Sequence, residues 1–324
     1  MRLAPRAEGC TMARLVAAFG SSHSPMLASR VEDWQSGFLA RDRARQFVDF
    51  DGNPCSYDEL LAKAPADALD RITLEHLTRR HGEAMAAMAR LRDDVAAAKL
   101  DALIIVGDDQ EELFHHHNMP AIGVYYGETI FGRMPYQKEI EEADFPCHAG
   151  LATHLIAALQ QDDFDLSVMR SLAEGQREGH AYSFVHRFYM AGSAIPIVPV
   201  FLNAYYPPNQ PAPARCVALG EAIRRAVEAF PRDMRVGIMA SGGLSHFVVD
   251  EAFDLAVIDA LRRKDANFFR NAPLTKLMSG SSEIRNWICL AGAAMPLDMV
   301  WSSYVPGYRT PALSGTGLTF ASFR

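Results

Sequence analysis

Four apolar runs in this chain each stop abruptly at a cluster of residues able to bind a metal or move a proton. ARLVAAF leads into GSSHSP, ALIIVG into DDQEE, IVPVF into LNAYYPP, and VGIMA into SGGLSHF. A short apolar run bounded by turn residues predicts a buried strand of an α/β sheet. In open sheets of that kind, ligands bind just beyond the carboxyl ends of the strands. His23, Asp109, Gln110, Asn203 and His246 are therefore expected to converge on one crevice, which is the layout of an enzyme.

Between these runs the pattern alternates with helices. Apolar residues at three/four spacing predict a long helix over 73–99, and further helices over 148–161, 216–230, 251–264 and 282–294. Shorter strands are expected at 122–126 and 166–169. Two irregular excursions, 30–72 and 173–192, read as candidate lids or oligomer contacts, and 133–147 reads as loop. There is no repeat, low-complexity tract or flexible linker. The expected organisation is a loose extension over residues 1–11 followed by one catalytic domain over 12–324.

Composition narrows the partners. The formal charge of −7 provides no basic stripe for neutralising phosphates, so a nucleic-acid binder is not expected. No window reaches the length of apolar sequence needed for a membrane-spanning helix, and the N-terminal segment lacks the apolar centre of a secretory signal. Five scattered cysteines without CxxC spacing suit reduced thiols in the cytoplasm.

Individual residues admit more than one role. His23 stands among Gly20, Ser21, Ser22 and Ser24, small neighbours that leave its ring free to reach a ligand or to bond to backbone. Glu283 opens a helix in SGSSEIRNWI, where an acidic residue also suits the helix dipole. His246 follows two glycines that allow close backbone approach. The HHH run at 115–117 reads as solvated, because adjacent side chains in extended backbone point apart.

GSSHSPML, NAYYPPNQP and SGGLSHF, in that order and spacing, resemble the class III extradiol ring-cleavage dioxygenases, the family of the protocatechuate 4,5-dioxygenase catalytic subunit. Within it the chain looks closest to gallate and 3-O-methylgallate dioxygenases. The resemblance implies a twisted mixed α/β sheet flanked by helices on both faces. It also implies Fe(II)-dependent meta cleavage, by O₂, of a carboxylated catechol such as 3-O-methylgallate, gallate or protocatechuate, in a cytoplasmic homodimer. By the same resemblance His23 and Glu283, which precedes Trp287 by four positions, are metal ligands. The resemblance further implies that His246 is a catalytic acid/base and that His180 in EGHAYSF is a catalytic residue that positions substrate. Gln110, Asn203 and Tyr205 are expected to line the substrate pocket.

One position departs from the family pattern. Where relatives carry a histidine ligand after the second strand, this chain reads GDDQ. Either Gln110 coordinates directly, or another histidine fills the site, with His81 on the preceding helix the preferred substitute, or the iron chemistry is altered or lost. The alternatives are thus a metal-free or altered-metal binding protein, or a metal-dependent hydrolase, since His and Glu equally suit zinc.

Overall fold

The computed structural model describes residues 11–132, 143–190 and 195–324. The expected N-terminal extension lies, apart from Thr11, outside the described residues, as does most of the expected 133–147 loop. The described part of that loop forms a strand.

In chain order, β1 (Arg14–Ser21) and α1 (Asp33–Arg43) are followed by the small hairpin β2 (Phe47–Val48) and β3 (Pro54–Cys55), then α2 (Tyr57–Ala62) and α3 (Leu74–Ala97). Next come β4 (Ala102–Asp108), β5 (Ile122–Tyr125), the outlying pair β6 (Thr129–Gly132) and β7 (Ala143–Pro146), α4 (Ala149–Gln161), β8 (Ser167–Met169) and α5 (His180–Tyr189). The second half holds β9 (Ile197–Leu202), α6 (Pro213–Glu228), β10 (Arg235–Ser241), β11 (His246–Val248), α7 (Glu251–Arg263), α8 (Ala266–Arg270), α9 (Ile284–Ala293), β12 (Met299–Tyr308) and β13 (Ser314–Phe323).

Among the described residues, nine strands join in one mixed sheet. Its centre is parallel, with β1, β10, β4 and β9 side by side, so the four apolar runs singled out in the sequence end on the same edge. β5 is antiparallel to β9, and β13 antiparallel to β1. β1 and β11 share one edge of β13 at different heights, Ser21 opposite Phe320 and His246 opposite Thr316. The chain segments carrying His23 and His246 thus meet at a break in the strand line.

Alternation along the strands builds a core on each face. Ile104 and Val106 of β4 pack with Val217, Val257 and Trp287 from helices on one side. Leu103 and Ile105 pack with Trp34, Leu91 and Tyr182 on the other. This two-sided burial is why β4 reads as a continuous apolar run. Helix starts carry the expected signals: Thr73 caps α3, Asp250 caps α7, and Pro213 stands at the first turn of α6.

One expectation is corrected here. The excursion around 173–192 is no outlying flap, because His180 to His186 on α5 are all buried and Ala181 packs directly on Gly107 of β4. The segment over 299–323, which carried no strand expectation, forms the long β12–β13 hairpin. The excursion over 30–72 is anchored in two places: Val31, Trp34, Phe38 and Ile72 join the main core, while Phe47, Cys55, Tyr57 and Leu60 form a small apolar cluster of their own. Among the described residues, no helix is long and apolar enough to cross a membrane.

Candidate metal centre

Helix α9 fastens the strand ends together. Trp287 Nε1 donates to Gly242 O at 2.7 Å, and Asn286 Nδ2 donates to Ser241 O at 2.9 Å and to Asp108 Oδ1 at 3.1 Å. The indole lies so close over β1 that a Cβ on Gly20 would come within 2.2 Å of it. Only glycine fits there, and the end of β1 is clamped beside those of β10 and β4.

On this base, three imidazoles and two carboxylates converge. Ser241 Oγ donates to Ala181 O at 2.7 Å, so it accepts from His23 Nδ1 at 3.1 Å. The His23 proton therefore sits on Nδ1, leaving the Nε2 lone pair directed inward. His180 is oriented the same way, its Nδ1 donating to Glu112 Oε2 at 2.7 Å. Its Nε2 then faces His23 Nε2 at 3.2 Å. Glu283 Oε2 lies 3.3 Å from the Nε2 atoms of both His23 and His246. It also accepts the Gly243 N–H at 2.8 Å, while Tyr205 donates to Oε1 at 2.8 Å. Glu283 makes no capping bond to its own helix, so the site, and not the dipole, claims its oxygens. Asp108 Oδ1 lies 3.9 Å from His23 Nε2 and Oδ2 the same distance from His180 Nε2.

These groups are almost wholly excluded from water, which makes their charges costly unless compensated. Burial, with Glu283 nearby, pushes the Asp108 carboxyl up to about 6. Burial also opposes charge on Glu283, yet His246 and His23, when their rings are protonated, hold its carboxyl well below the usual range. For His180, burial disfavours the cation, but Glu112, Asp108 and Glu283 outweigh it and push the imidazole up to about 10. The cluster calls for positive charge at its centre.

A divalent cation fits that demand. His23, Asp108 and His180 offer ligand atoms all within 4.8 Å of one another. Asp108 Oδ2 is buried and accepts no hydrogen bond. Two inward lone pairs 3.2 Å apart repel unless a proton or metal lies between them. That spacing is what two donors bonded at roughly 2.1 Å to one ion span when they subtend between a right and a tetrahedral angle. Two histidines with carboxylate match the donor set of non-haem Fe(II) sites that keep open positions.

The structure brings together most of the residues singled out in the sequence. His23, His180, His246, Glu283, Gln110 and Tyr205 all line one cavity of about 180 Å³. Gln110 Nε2 lies 3.5 Å from both His180 Nε2 and Glu283 Oε1.

His81 is not brought there, which corrects its expected place among the ligands. Its ring packs edge-on against Trp34, and Glu32 is the charged group acting on it. The histidine beside Gln110 is His180. Asn203 is also engaged elsewhere, since its amide bonds to both backbone groups of Tyr206 and shapes that loop. Asp109 accepts the backbone N–H groups of Glu112, Leu113 and Phe114. The HHH run at 115–117 is exposed, as expected. Asp108 and Glu112 were not named individually in the sequence, although both stand in the DDQEE cluster that follows the apolar run of β4.

Comparison with known proteins gives the chain's family. A family described as the catalytic LigB subunit of aromatic ring-opening dioxygenase matches residues 72–316. Gallate dioxygenase of Pseudomonas putida is 31% identical over 166 residues, 45% of each chain. A 2,3-dihydroxyphenylpropionate/2,3-dihydroxicinnamic acid 1,2-dioxygenase of Comamonas testosteroni is 27% identical over 198 residues, 59% of this chain and 54% of that protein. A Mycobacterium ulcerans protein of the same description is 30% identical over 166 residues, 51% of this chain and 49% of its own. The chain thus spans about half the length of the curated relatives it matches. With well over half of its residues covered by the family match, the chain belongs to the LigB family of aromatic ring-opening dioxygenase catalytic subunits.

Proposed function

We propose that this chain is an Fe(II)-dependent extradiol dioxygenase that opens the ring of a carboxylated catechol. The observation that carries the reading is the pair of inward Nε2 atoms of His23 and His180, 3.2 Å apart, each with its Nδ1 proton committed elsewhere. His23, His180 and Glu283 would hold the metal, with Asp108 completing the charge balance. His180 then takes the place that Gln110 leaves unfilled, a ligand role in place of the substrate-positioning role expected from the sequence. Bound iron supplies a meeting point for catechol oxygens and O₂ and a route for electrons between them.

The chain's own groups do the rest. His246 donates Nδ1–H to Leu244 O at 2.8 Å, and its Nε2, 3.3 Å from Glu283 Oε2, faces the cavity. It is positioned to take a proton from a catechol hydroxyl and return it later, the work of a general acid/base. Tyr205 fixes the Glu283 carboxylate through its hydroxyl. Gln110, with an amide that both donates and accepts, can hold a ring hydroxyl. Gallate and dihydroxyphenylpropionate, the compounds named for the relatives, are both carboxylated phenols. A cytoplasmic homodimer, with four buried, unpaired cysteines among the described residues, completes the proposal.

The test is O₂ uptake by anaerobically iron-loaded protein across a panel of substituted catechols, alongside metal content of His180→Ala and His81→Ala. The expected outcome is uptake with a carboxylated catechol, loss of most iron in His180→Ala, and retention in His81→Ala. No uptake with any catechol, or equal activity with zinc in place of iron, would overturn the dioxygenase reading. Full iron occupancy in His180→Ala would remove His180 from the ligand set.

A further inference from the structure

The outer wall of the same cavity carries charge of the opposite sign to its floor. Arg41, Arg45 and Arg309 line it with a single carboxylate, Asp42. That carboxylate is already taken. Arg309 grips it with two bonds of 2.8 Å, and Ser314 Oγ donates to it at 2.6 Å. Arg309 is thus occupied within the protein.

Arg45 is not. Its guanidinium lies over the Phe247 ring at 3.7 Å from the centroid, a close cation–π contact that fixes its plane. Its Nε is fully buried and donates to nothing among the described residues. No Asp or Glu among those residues comes within ion-pair distance of it, and Asp42, whose charge acts on it, is held by Arg309. Phe247 itself is held at φ +68, a left-handed backbone uncommon for an aromatic residue. Strain of that kind persists where surrounding structure maintains it, and it gathers at ligand sites. Arg45 is close enough to Tyr205 for each to act on the other's charge, and Tyr205 bonds to Glu283. A short path therefore runs from the cationic wall to the proposed metal ligands. A planar, permanently charged fork with an open donor edge matches a carboxylate better than any other common anion of an aromatic molecule.

We propose that Arg45 is a specificity-determining residue that binds the carboxylate of an aromatic acid whose ring hydroxyls face His23, His180 and Glu283. This rests on the dioxygenase reading and deepens it. Arg45 supplies the anchor that orients the ring, and Phe247 holds the anchor flat. Arg45 also precedes the family-matched segment, so this selectivity belongs to the part of the chain that the family description does not cover.

The experiment compares 3,4,5-trihydroxybenzoate with 1,2,3-trihydroxybenzene, which has the same hydroxyls and no carboxylate. Calorimetric titration of anaerobic, iron-loaded protein gives both affinities without turnover. Arg45→Met is expected to weaken benzoate binding by roughly 30-fold or more, as for loss of one partner from a largely desolvated charge pair. It should change trihydroxybenzene binding less than about threefold, with Arg45→Lys intermediate because it keeps charge but not the fork. An equal loss for both ligands, or no loss for either, overturns the assignment of Arg45 and leaves the dioxygenase reading standing if wild type still consumes O₂. Wild type that binds neither ligand overturns both.

Discussion

Glu112 is the residue through which the proposed ligand set can be tested most sharply, because it touches His180 and none of the other converging groups. Its carboxylate accepts His180 Nδ1–H at 2.7 Å and the His180 backbone N–H at 3.0 and 3.1 Å. These bonds fix the ring plane and tautomer, and the negative charge makes Nε2 a stronger donor to a metal. Glu112→Gln keeps the shape and one acceptor but removes the charge. Groups that orient a metal-binding histidine typically contribute 10–100-fold in metal affinity. The Glu112 side chain is 32% exposed, so water screens part of its effect and the lower end applies. The expected loss is about 10–30-fold, or roughly 1.4–2 kcal/mol. Competition with a chromogenic chelator under anaerobic conditions reads this directly, with cobalt as an air-stable substitute for iron. His180→Ala sets the scale, since loss of a ligand must cost more than loss of its support. Glu112→Gln within about twofold of wild type, while His180→Ala loses the metal, would refute the orienting role.

Two further outcomes follow from the same geometry. His246→Ala should keep its metal and its catechol affinity while turnover falls by roughly 10²–10⁴, measured as O₂ uptake under single-turnover conditions; a loss of only a few-fold excludes it as the acid/base. Asp254, buried where it accepts from Ser245 N, Ser245 Oγ and Tyr304 OH, is pushed up to about 7 by burial, so the folded state holds its proton more tightly than the unfolded chain does. That stabilisation is complete below the unfolded value near 3.8 and is lost as pH rises through about 7. Denaturant unfolding should therefore show wild type losing ground to Asp254→Asn between those limits, by on the order of 4 kcal/mol at most, and a pH-independent difference would contradict the buried-carboxyl account.

Much of this arrangement is legible in the chain because the strand-end rule is strong. A parallel sheet covered on both faces forces continuous apolar runs, and polar residues at their carboxyl ends have one place to go. That logic placed His23, Gln110 and His246 correctly around one cavity. It does not say which helix approaches the same edge. The three/four pattern over 73–99 identifies the face α3 buries, but not that the helix packs along β12, β13 and α5 with His81 turned to Trp34. Asn203 shows a second limit, because a short amide next to a turn satisfies its own loop as readily as a substrate. β13 escaped notice because SGTGLTFASF mixes glycine and hydroxyl residues at positions that are all buried. Its burial comes from neighbours distant in sequence, which no local pattern records.

The separation between floor and wall has a consequence for how such a chain can change. The floor, with Glu283, Asn286 and Trp287 on one helix start, is continuous with the main core, so a substitution there disturbs chemistry and folding together. The wall carrying Arg45 hangs on the separate cluster around Phe47, Tyr57 and Leu60. Substitutions in that small cluster lie outside the main core, whereas Val31, Trp34, Phe38 and Ile72 of the same excursion are part of it. On the proposed reading, selection can explore new aromatic acids by remodelling residues 45–60 while the ring-opening machinery stays constant, and a laboratory library confined to that stretch is the direct route to altered substrate range.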